Sequence, residues 1–446
     1  MKKIKIILLT LFLITFCHVA KSQIENLTNQ SAEWVRSGSR NASMDAADIM
    51  AYNPAGMAMM KPGWHIGLGN QMFFRKPSHE YTMDFGAGPT VMKYQQKGND
   101  LFVPNINIGF TKNNLSFFGG ANIIGGGGAA NYPQGTINTD LLMGQFIPQF
   151  DAATGADYTY ANNVSLKGSV FHLAIGGGAA YSFNDKISAG MMIRNVMAKS
   201  TTEAGFALSG SAMGLPDQPF ALSTSDHASG LGAVISIFMK PVQKMNFSLR
   251  YESKVSLNYK KSVEKDDAGM FTDGATFQRD LPAVAGSGIS YAITEKFKMA
   301  ADFNYYFQTQ ADWGTTDPQL SELYGTQKLS ALAGNAYNYS LSMEYAFSNS
   351  FLISAGGVKS VMNYKDRPGY YTHLGAFEMA AENNFTLCYG MAYTIREKTR
   401  INLGMLHAFY QEQSVKSVYY MGAGADVDVN VKNSATGIGI GVDFMF

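Results

Sequence analysis

The chain has 446 residues, a formal net charge of +1 and an unusual composition, with 46 Gly, 29 Phe, 25 Met and 24 Tyr. Only 15% of its residues are charged, whereas soluble domains carry about 25%. A chain of this length would usually fold as two or three soluble domains. The scarcity of surface charge favours a single large β-barrel instead.

The first 22 residues have the features of a secretory signal peptide. Three lysines precede the apolar run at 6–16, and Ala20-Lys21-Ser22 resembles a cleavage site. The run is shorter than the ~20 residues that a membrane-spanning helix needs. Removal of residues 1–22 leaves 31 basic and 34 acidic residues, a net charge of −3, and no basic patch indicates a nucleic-acid partner. Cys388 is then the only cysteine, so no disulfide is expected within the chain.

Residues 23–63 form a separate segment, because they lack the alternation that follows. The stretch SGSRNASMDAADIMAYNPAGMAMM is rich in small residues and methionine. A short helix is predicted near 45–50. A break is predicted at Asn53-Pro54, since the residue before proline is disfavoured in the helical region.

From residue 64 onward, apolar and polar residues alternate with a period of two. At 297–308, for example, Phe, Met, Ala, Phe, Tyr and Phe alternate with mostly polar residues. These segments reach ten residues or more. Strands of soluble proteins average about five or six residues, whereas a tilted strand needs ~9 to 11 to cross a bilayer. The strand length therefore predicts a membrane barrel.

Fourteen strands are predicted, an even number as in closed bacterial barrels. They lie near 64–75, 102–111, 115–125, 169–183, 186–199, 228–239, 244–258, 276–291, 296–308, 335–347, 351–361, 381–394, 398–411 and 434–446. Tight turns alternate with seven long segments, which are predicted as loops at about 76–101, 126–168, 200–227, 259–275, 309–334, 362–380 and 412–433. This asymmetry is typical of outer-membrane barrels.

The sequence GIGIGVDFMF at the end of the chain is predicted to close the barrel. In lipid every backbone N–H and C=O must be paired, so the last strand has to pair with the first. The terminal Phe446 also resembles the carboxyl-terminal signal of barrels that the outer-membrane insertion machinery assembles. We therefore expect that machinery to be a partner during assembly.

Several short motifs together resemble the FadL-type family of long-chain fatty-acid and hydrocarbon transporters. Three of them lie before the first strand, and the others fall at the third strand, at a later strand and at the end of the chain. They are Ser39-Arg40-Asn41-Ala42-Ser43, Ala46-Ala47-Asp48, Asn53-Pro54-Ala55-Gly56, Asn122 to Gly128, Asp280-Leu281-Pro282 and Asp443 to Phe446. The resemblance covers nearly the whole mature length.

This resemblance implies an all-β fold, a 14-stranded antiparallel transmembrane β-barrel (64–446) plugged by an N-terminal hatch (23–63). It also implies passive transport in the outer membrane of a Gram-negative bacterium. The expected partners are a long-chain fatty acid or another hydrophobic small molecule, together with outer-membrane lipid. In the family the substrate lands in an apolar groove, moves to a pocket against the hatch and leaves through a gap in the barrel wall.

Three sets of residues are candidates for these roles. Asn53, Pro54, Ala55 and Gly56 form either a gating turn of the hatch or an ordinary structural turn. Gly125, Gly126, Gly127 and Gly128 form either the kink that opens the wall or the start of a flexible loop. The apolar groove candidates, whose alternative role is packing of a long loop on itself, are Leu141, Leu142, Met143, Phe146, Ile147 and Phe150.

Two other functions compete with transport of hydrophobic molecules. A non-specific aqueous porin would need an open lumen, which the forty residues before the first strand argue against. A lipid hydrolase would use His227 and Ser229, which share one strand face, although Asp226 would then face the other way. No cofactor is expected, and no cluster of His, Cys and carboxylates has the spacing of metal ligands.

Overall fold

The structure is a computed structural model, and it describes residues 30–84, 88–160, 163–210, 214–314, 328–379, 382–417 and 427–446. The predicted signal peptide lies outside the described residues. Among the residues described, no helix is both long and apolar enough to span a bilayer.

Strands dominate the described part of the chain. In chain order they are β1 (Gly63–Arg75), β2 (Ser78–Asp84), β3 (Pro89–Gln95), β4 (Asn99–Lys112), β5 (Leu115–Tyr132), β6 (Thr159–Tyr160), β7 (Ser165–Ser182), β8 (Ile187–Ser209), β9 (Gln218–Met239), β10 (Met245–Glu252), β11 (Asn258–Asp266), β12 (Thr276–Gln278), β13 (Val284–Ala292), β14 (Phe297–Tyr306), β15 (Ala336–Ala346), β16 (Phe351–Met362), β17 (Asn384–Ile395), β18 (Thr399–Tyr410), β19 (Gln413–Ser417), β20 (Val427–Lys432) and β21 (Ser434–Met445).

The long strands close into an antiparallel barrel of fourteen wall positions. β10 with β11 occupies one position and β12 with β13 the next, while the other twelve are β1, β4, β5, β7, β8, β9, β14, β15, β16, β17, β18 and β21. Closure is antiparallel between β1 and β21, from His65↔Met445 to Arg75↔Ala435. The prediction that the last strand pairs with the first is confirmed.

The outside of this barrel is apolar and its inside is polar. On β15, Tyr339, Leu341 and Met343 are exposed, whereas Ser340 and Ser342 between them are buried. A soluble protein would bury the first set, and exposed apolar patches of this extent mark a surface that contacts something other than water. The barrel is therefore of the membrane-spanning type, with lipid against its outer face.

All fourteen predicted strands are present, but their lengths differ from prediction at the end of the barrel where the long segments lie. β5, β8 and β9 run well beyond the predicted ends. The predicted strands 244–258 and 276–291 are each interrupted, and the isolated bridge Val255↔Leu281 lies between their two halves. Pro282 lies in this break and has no N–H to give to a ladder.

The segments predicted as loops also contain regular structure. The helix α3 (Ile137–Thr154) lies within 126–168, and β2, β3, β19 and β20 form a separate four-stranded sheet. That sheet, together with the helical turns Leu329–Ala333, Arg367–Leu374 and Ala376–Met379, encloses an aromatic core that includes Tyr81, Tyr132, Trp313 and Tyr371. We call this assembly the cap.

The segment before β1 lies inside the barrel. It contains the helices α1 (Ala32–Ser37) and α2 (Ile49–Tyr52), followed by a 3-10 helix at Pro54–Met59. α1 was not predicted, although Ser31 begins it by accepting the Trp34 N–H on its hydroxyl. α2 begins later than the predicted helix at 45–50. We call residues 30–62 the hatch.

Candidate functional site

The hatch lies directly against the inner wall because glycines remove the side chains between them. α1 contacts β16, β17, β18 and β21. A Cβ on Gly404 would lie 2.6 Å from the Arg36 backbone nitrogen, and one on Gly439 would lie 3.0 Å from the Val35 Cβ. Part of the alternation in GIGIGVDFMF is thereby explained, since Gly439 and Gly441 face the hatch while Ile440 between them is exposed on the outside.

A buried ion-pair cluster at Arg40 holds the hatch together. The Arg40 guanidinium contacts Asp48 at 2.5 Å and Asp45 at 2.8 Å, and Arg400 on β18 reaches Asp45 at 3.0 Å. Burial raises the pKa of Asp48 to about 6, although Arg40 opposes the shift. Burial also opposes ionisation of Asp45, but Arg40, Lys298 and Arg400 outweigh it and hold its pKa well below the usual value.

Further polar contacts fix the hatch to β14 and β15. The backbone N–H groups of Arg40 and Asn41 both donate to the Asp302 carboxylate, at 2.7 and 2.9 Å. Arg36 pairs with Glu344 at 2.6 Å. Removal of one partner from buried pairs of this kind leaves an uncompensated charge, so these contacts resist displacement of the hatch.

The predicted gating turn, Asn53, Pro54, Ala55 and Gly56, packs against β8 and β9. The Ala55 N–H donates to the Ser236 hydroxyl at 2.7 Å, and the Ser188 hydroxyl donates to the Ala55 carbonyl at 2.7 Å. None of the four residues lines the cavity that borders the hatch inside the barrel. Their gating role remains a prediction.

That cavity has a volume of about 470 Å³ and lies between the hatch and the cap. Trp34 of the hatch forms part of its lining, and much of the rest is apolar. The apolar wall residues include Phe73, Val103, Ile123, Val170, Val358 and Leu406. A cavity of this size and polarity is suited to a small hydrophobic molecule.

The cavity reaches a gap in the wall between β4 and β5. The two strands pair from Lys112↔Leu115 only as far as Asn105↔Asn122. Beyond that point β5 loses its regular register with β7 in two places, between Ile123 and Gly125 and between Gly125 and Gly128. Gly126 and Gly128 have φ angles of 98° and 69°, which favour glycine. The predicted glycines therefore lie at an irregular part of the strand.

Hydrogen bonds close the same gap again at its upper end, which is the end nearer to β3. The Lys97 N–H donates to the Asn131 carbonyl at 2.7 Å, and the Ala129 N–H donates to the Asp100 carboxylate at 2.8 Å. Between the two paired ends, the cavity lining includes Phe102, which is 78% exposed on the outside of the barrel. We call this bounded gap the window.

The groove candidates lie on α3 and pack against the rim of the barrel. Leu142 and Met143 are only 2% exposed, in a cluster with Phe206 of β8. Phe146, Ile147 and Phe150 pack on the same cluster while remaining partly exposed. The side chain of Leu141 lies outside the described part of the structure. The five candidates whose side chains are described do not line the cavity, and the role of the set in substrate capture remains a prediction.

No protein-family model and no curated protein matches this chain. A solved Pseudomonas aeruginosa FadL homologue is similar in structure, with a TM-score of 0.67 and 13% identity over 95% of this chain and all of that one. The toluene transporters TodX of Pseudomonas putida (TM-score 0.60, 14% identity, 95% and 100% covered) and TbuX of Ralstonia pickettii (0.56, 13%, 95% and 99%) are similar too. The chain has the FadL-type fold. The resemblance and the fold class predicted from the sequence are confirmed.

In this FadL-type barrel the hydrolase residues do not form a catalytic arrangement. His227 and Ser229 are exposed on the outer face of β9. The His227 Nε2 lies 2.8 Å from the Ser225 hydroxyl. Asp226 faces inward and pairs with Lys261 at 2.9 Å. The acid and the histidine thus lie on opposite faces of the strand, whereas a hydrolytic triad needs them in contact.

The cap of the FadL-type barrel was not predicted from the sequence. Polar contacts join the cap to α3: Tyr81 and Tyr94 both donate to Asp140, and Asn138 donates to Glu378 at 2.8 Å. Burial raises the pKa of Glu378 to about 7. The alternation of Val427, Val429 and Val431 within a predicted loop is the sequence signal that would have located β20.

Within the described part of the chain, no group of three or more His, Cys, Asp or Glu side chains is arranged to hold a metal ion.

Proposed function

We propose that this chain carries hydrophobic small molecules passively across the outer membrane. In this proposal a molecule enters from the side of the cap, lodges in the cavity against Trp34 and leaves sideways through the window. The main supporting observation is that one cavity touches the hatch, the irregular glycines of β5 and the exposed Phe102. The proposed sideways route from the lumen to the lipid-facing surface rests on these shared contacts.

The driving force for this route is burial of apolar surface. A hydrophobic molecule gains roughly 0.8 kcal/mol for each CH2 that leaves water. The apolar lining and the lipid beyond the window offer comparable environments, so the exit step needs no energy input. Long-chain fatty acids are the substrates expected from the resemblance, and the apolar walls suit other hydrophobic molecules as well.

An aqueous porin fits the structure poorly. The residues of α1 and α2 are all buried inside the barrel. Ion pairs between Asp45 and Arg400 of β18 and between Arg36 and Glu344 of β15 tie the hatch to the wall. A porin needs a water-filled lumen, whereas this lumen is occupied at the level of the hatch.

Uptake by living cells tests the proposal. The full chain is expressed in a Gram-negative host that lacks its own transporter for hydrophobic compounds, and uptake of a radiolabelled long-chain hydrocarbon or ester is measured. We expect uptake above the empty host. Val103→Trp, which places a large ring in the cavity beside the window, should reduce it several-fold.

The matched control is Ile106→Trp, because Ile106 is on the same strand but faces lipid. It should leave uptake close to the unsubstituted level. Uptake that is equal in the empty host and in cells with the folded barrel would refute the proposed function. An equal loss in both variants would refute the window as the exit.

A further inference from the structure

The charges around the cavity bear on which hydrophobic molecules it accepts. Of the described residues in its lining, three are charged: the cation Arg75 and the anions Asp100 and Glu382. One positive charge and two negative charges give these lining residues a net formal charge of −1. Glu382 also accepts the Tyr371 hydroxyl at 2.9 Å and lies 3.3 Å from Arg367.

The one cation in this lining is already paired. Arg75, at the end of β1, forms a salt bridge with Asp100 of β4, and the side chains are only 10% and 16% exposed. Asp100 is held in place from a second direction, because its other carboxylate oxygen accepts the Ala129 N–H at 2.8 Å. The pair therefore lies at the upper edge of the window with both members fixed.

A ligand carboxylate that enters this cavity meets no free cation among the described lining residues. To bind Arg75 it has to displace Asp100, which would leave that carboxylate poorly paired in a largely apolar space. If it does not bind Arg75, its own charge stays unpaired beside Glu382. Either outcome is costly, since buried charges are tolerated only when they are paired. An uncharged apolar molecule avoids both.

We propose that the cavity selects uncharged apolar molecules over fatty-acid anions, and that Asp100 enforces this selection by occupying the Arg75 guanidinium. This inference rests on the proposed function and narrows its substrate class. It departs from the long-chain fatty acids expected from the sequence. It also assigns Asp100 as a specificity-determining residue in addition to its contact with β5.

Binding of two matched ligands tests the inference. The purified full-length barrel is placed in lipid nanodiscs at pH 8, and dodecanoate and methyl dodecanoate compete with an uncharged fluorescent apolar probe. The two ligands have the same alkyl chain and differ in charge. We expect the unsubstituted protein to bind the ester roughly tenfold or more tightly than the anion.

Asp100→Asn should free the guanidinium and shift the ratio of anion to ester affinity toward the anion by roughly tenfold. Adding Arg75→Met to Asp100→Asn should abolish that shift. Glu412→Gln is the control, because Glu412 is exposed and lies outside the cavity lining, and it should leave the ratio unchanged. Migration of the unheated barrel on a gel confirms that each variant is folded.

Equal affinity for the two ligands in the unsubstituted protein would overturn the inference, and so would an unchanged ratio in folded Asp100→Asn. Either result leaves transport of hydrophobic molecules standing. If neither ligand binds the unsubstituted protein, so that neither displaces the probe, the proposed function itself fails.

Discussion

The hatch and the wall beside it are built in opposite ways. Around Arg40 the hatch is fixed by short ion pairs to Asp45 and Asp48, and Arg400 extends the cluster to the wall. In the wall at Gly125 to Gly128, the strand leaves its neighbour and its register is interrupted twice. Ion pairs hold the hatch in place, whereas missing backbone hydrogen bonds leave a gap in the wall.

This difference bears on the route proposed for the transported molecule. Displacement of the hatch would separate several buried charges, each at a cost of several kcal/mol. The window needs no comparable step, because its edges are already apart. A route through the wall therefore needs less rearrangement than a route past the hatch, and the hatch acts as the floor of the cavity.

The largest expected effect comes from breaking the hatch cluster. Arg40→Met leaves Asp48 and Asp45 without their shared cation, and we expect the hatch to lose about 3–5 kcal/mol of local stability. An aqueous path should then open through the lumen. Single-channel conductance in planar bilayers measures this, and it should rise well above that of the unsubstituted barrel.

The control for this variant is Arg396→Met, since Arg396 is exposed in the turn between β17 and β18. Its conductance should match that of the unsubstituted barrel. If Arg40→Met also leaves conductance unchanged, the hatch is not held by this cluster and the contrast with the window disappears.

A smaller effect is expected at the window. Gly128 has φ at 69°, and an added Cβ would collide with the Arg75 and Asp100 side chains. Gly128→Ala should therefore cost about 1–3 kcal/mol and distort the upper edge of the window. Urea unfolding in lipid vesicles measures the loss, and uptake of an uncharged hydrocarbon should fall with it.

Gly144→Ala provides the comparison. Gly144 is an exposed residue of α3 with open space around its Cα, so alanine should stabilise the helix by up to ~1 kcal/mol. Opposite signs for the two substitutions would show that the conformation of Gly128 is specifically required. A neutral Gly128→Ala would instead indicate that the window edge is loosely held.

Asp45 and Asp48 of the hatch are paired with an arginine, but in the described part of the structure the buried Glu378 of the cap is not. Its hydrogen-bonding groups include Asn138 and Thr136, and none of these groups is a cation. Because burial raises its pKa from 4.5 to about 7, the folded cap binds this proton more tightly than the unfolded one. Cap stability should thus be greatest below pH 4.5 and fall by up to about 3 kcal/mol as the pH rises to 7.

Hydrogen exchange of peptides that cover 367–379 measures the stability of the cap at each pH. The same measurement on Glu378→Gln provides the comparison. The substitution should remove most of the loss and slow exchange at pH 7.5. Glu412→Gln, at a side chain that is 66% exposed and pairs with Lys432 of the cap, should change little. Parallel pH profiles for the unsubstituted protein and Glu378→Gln would contradict the prediction.

The sequence predicted the barrel well because lipid imposes a simple pattern. Each wall strand must present apolar residues outward at every second position, as Leu341 and Met343 do, and such alternation is visible without any tertiary knowledge. Closure by 434–446 followed from the need to pair every backbone group.

The cap and the cavity charges could not be predicted in the same way. The cap combines strands from residues near 80 and near 430, and no local pattern reveals that pairing. The salt bridge between Arg75 and Asp100 depends on the β1–β4 register, which shifts by a residue between Gln71 and Phe73. Its consequence for specificity appears only when both side chains are placed at one cavity.

The smallest expected effect is none at all, and it tests whether the outer wall has any chemistry of its own. Ser229→Ala should leave both uptake and the folded barrel unchanged, because Ser229 faces outward and Asp226 is bound to Lys261 on the inner face. Release of fatty acid from phospholipid vesicles is the sensitive readout. If the unsubstituted barrel hydrolyses phospholipid and Ser229→Ala does not, β9 has a catalytic role. The wall would then not be only a passive exit.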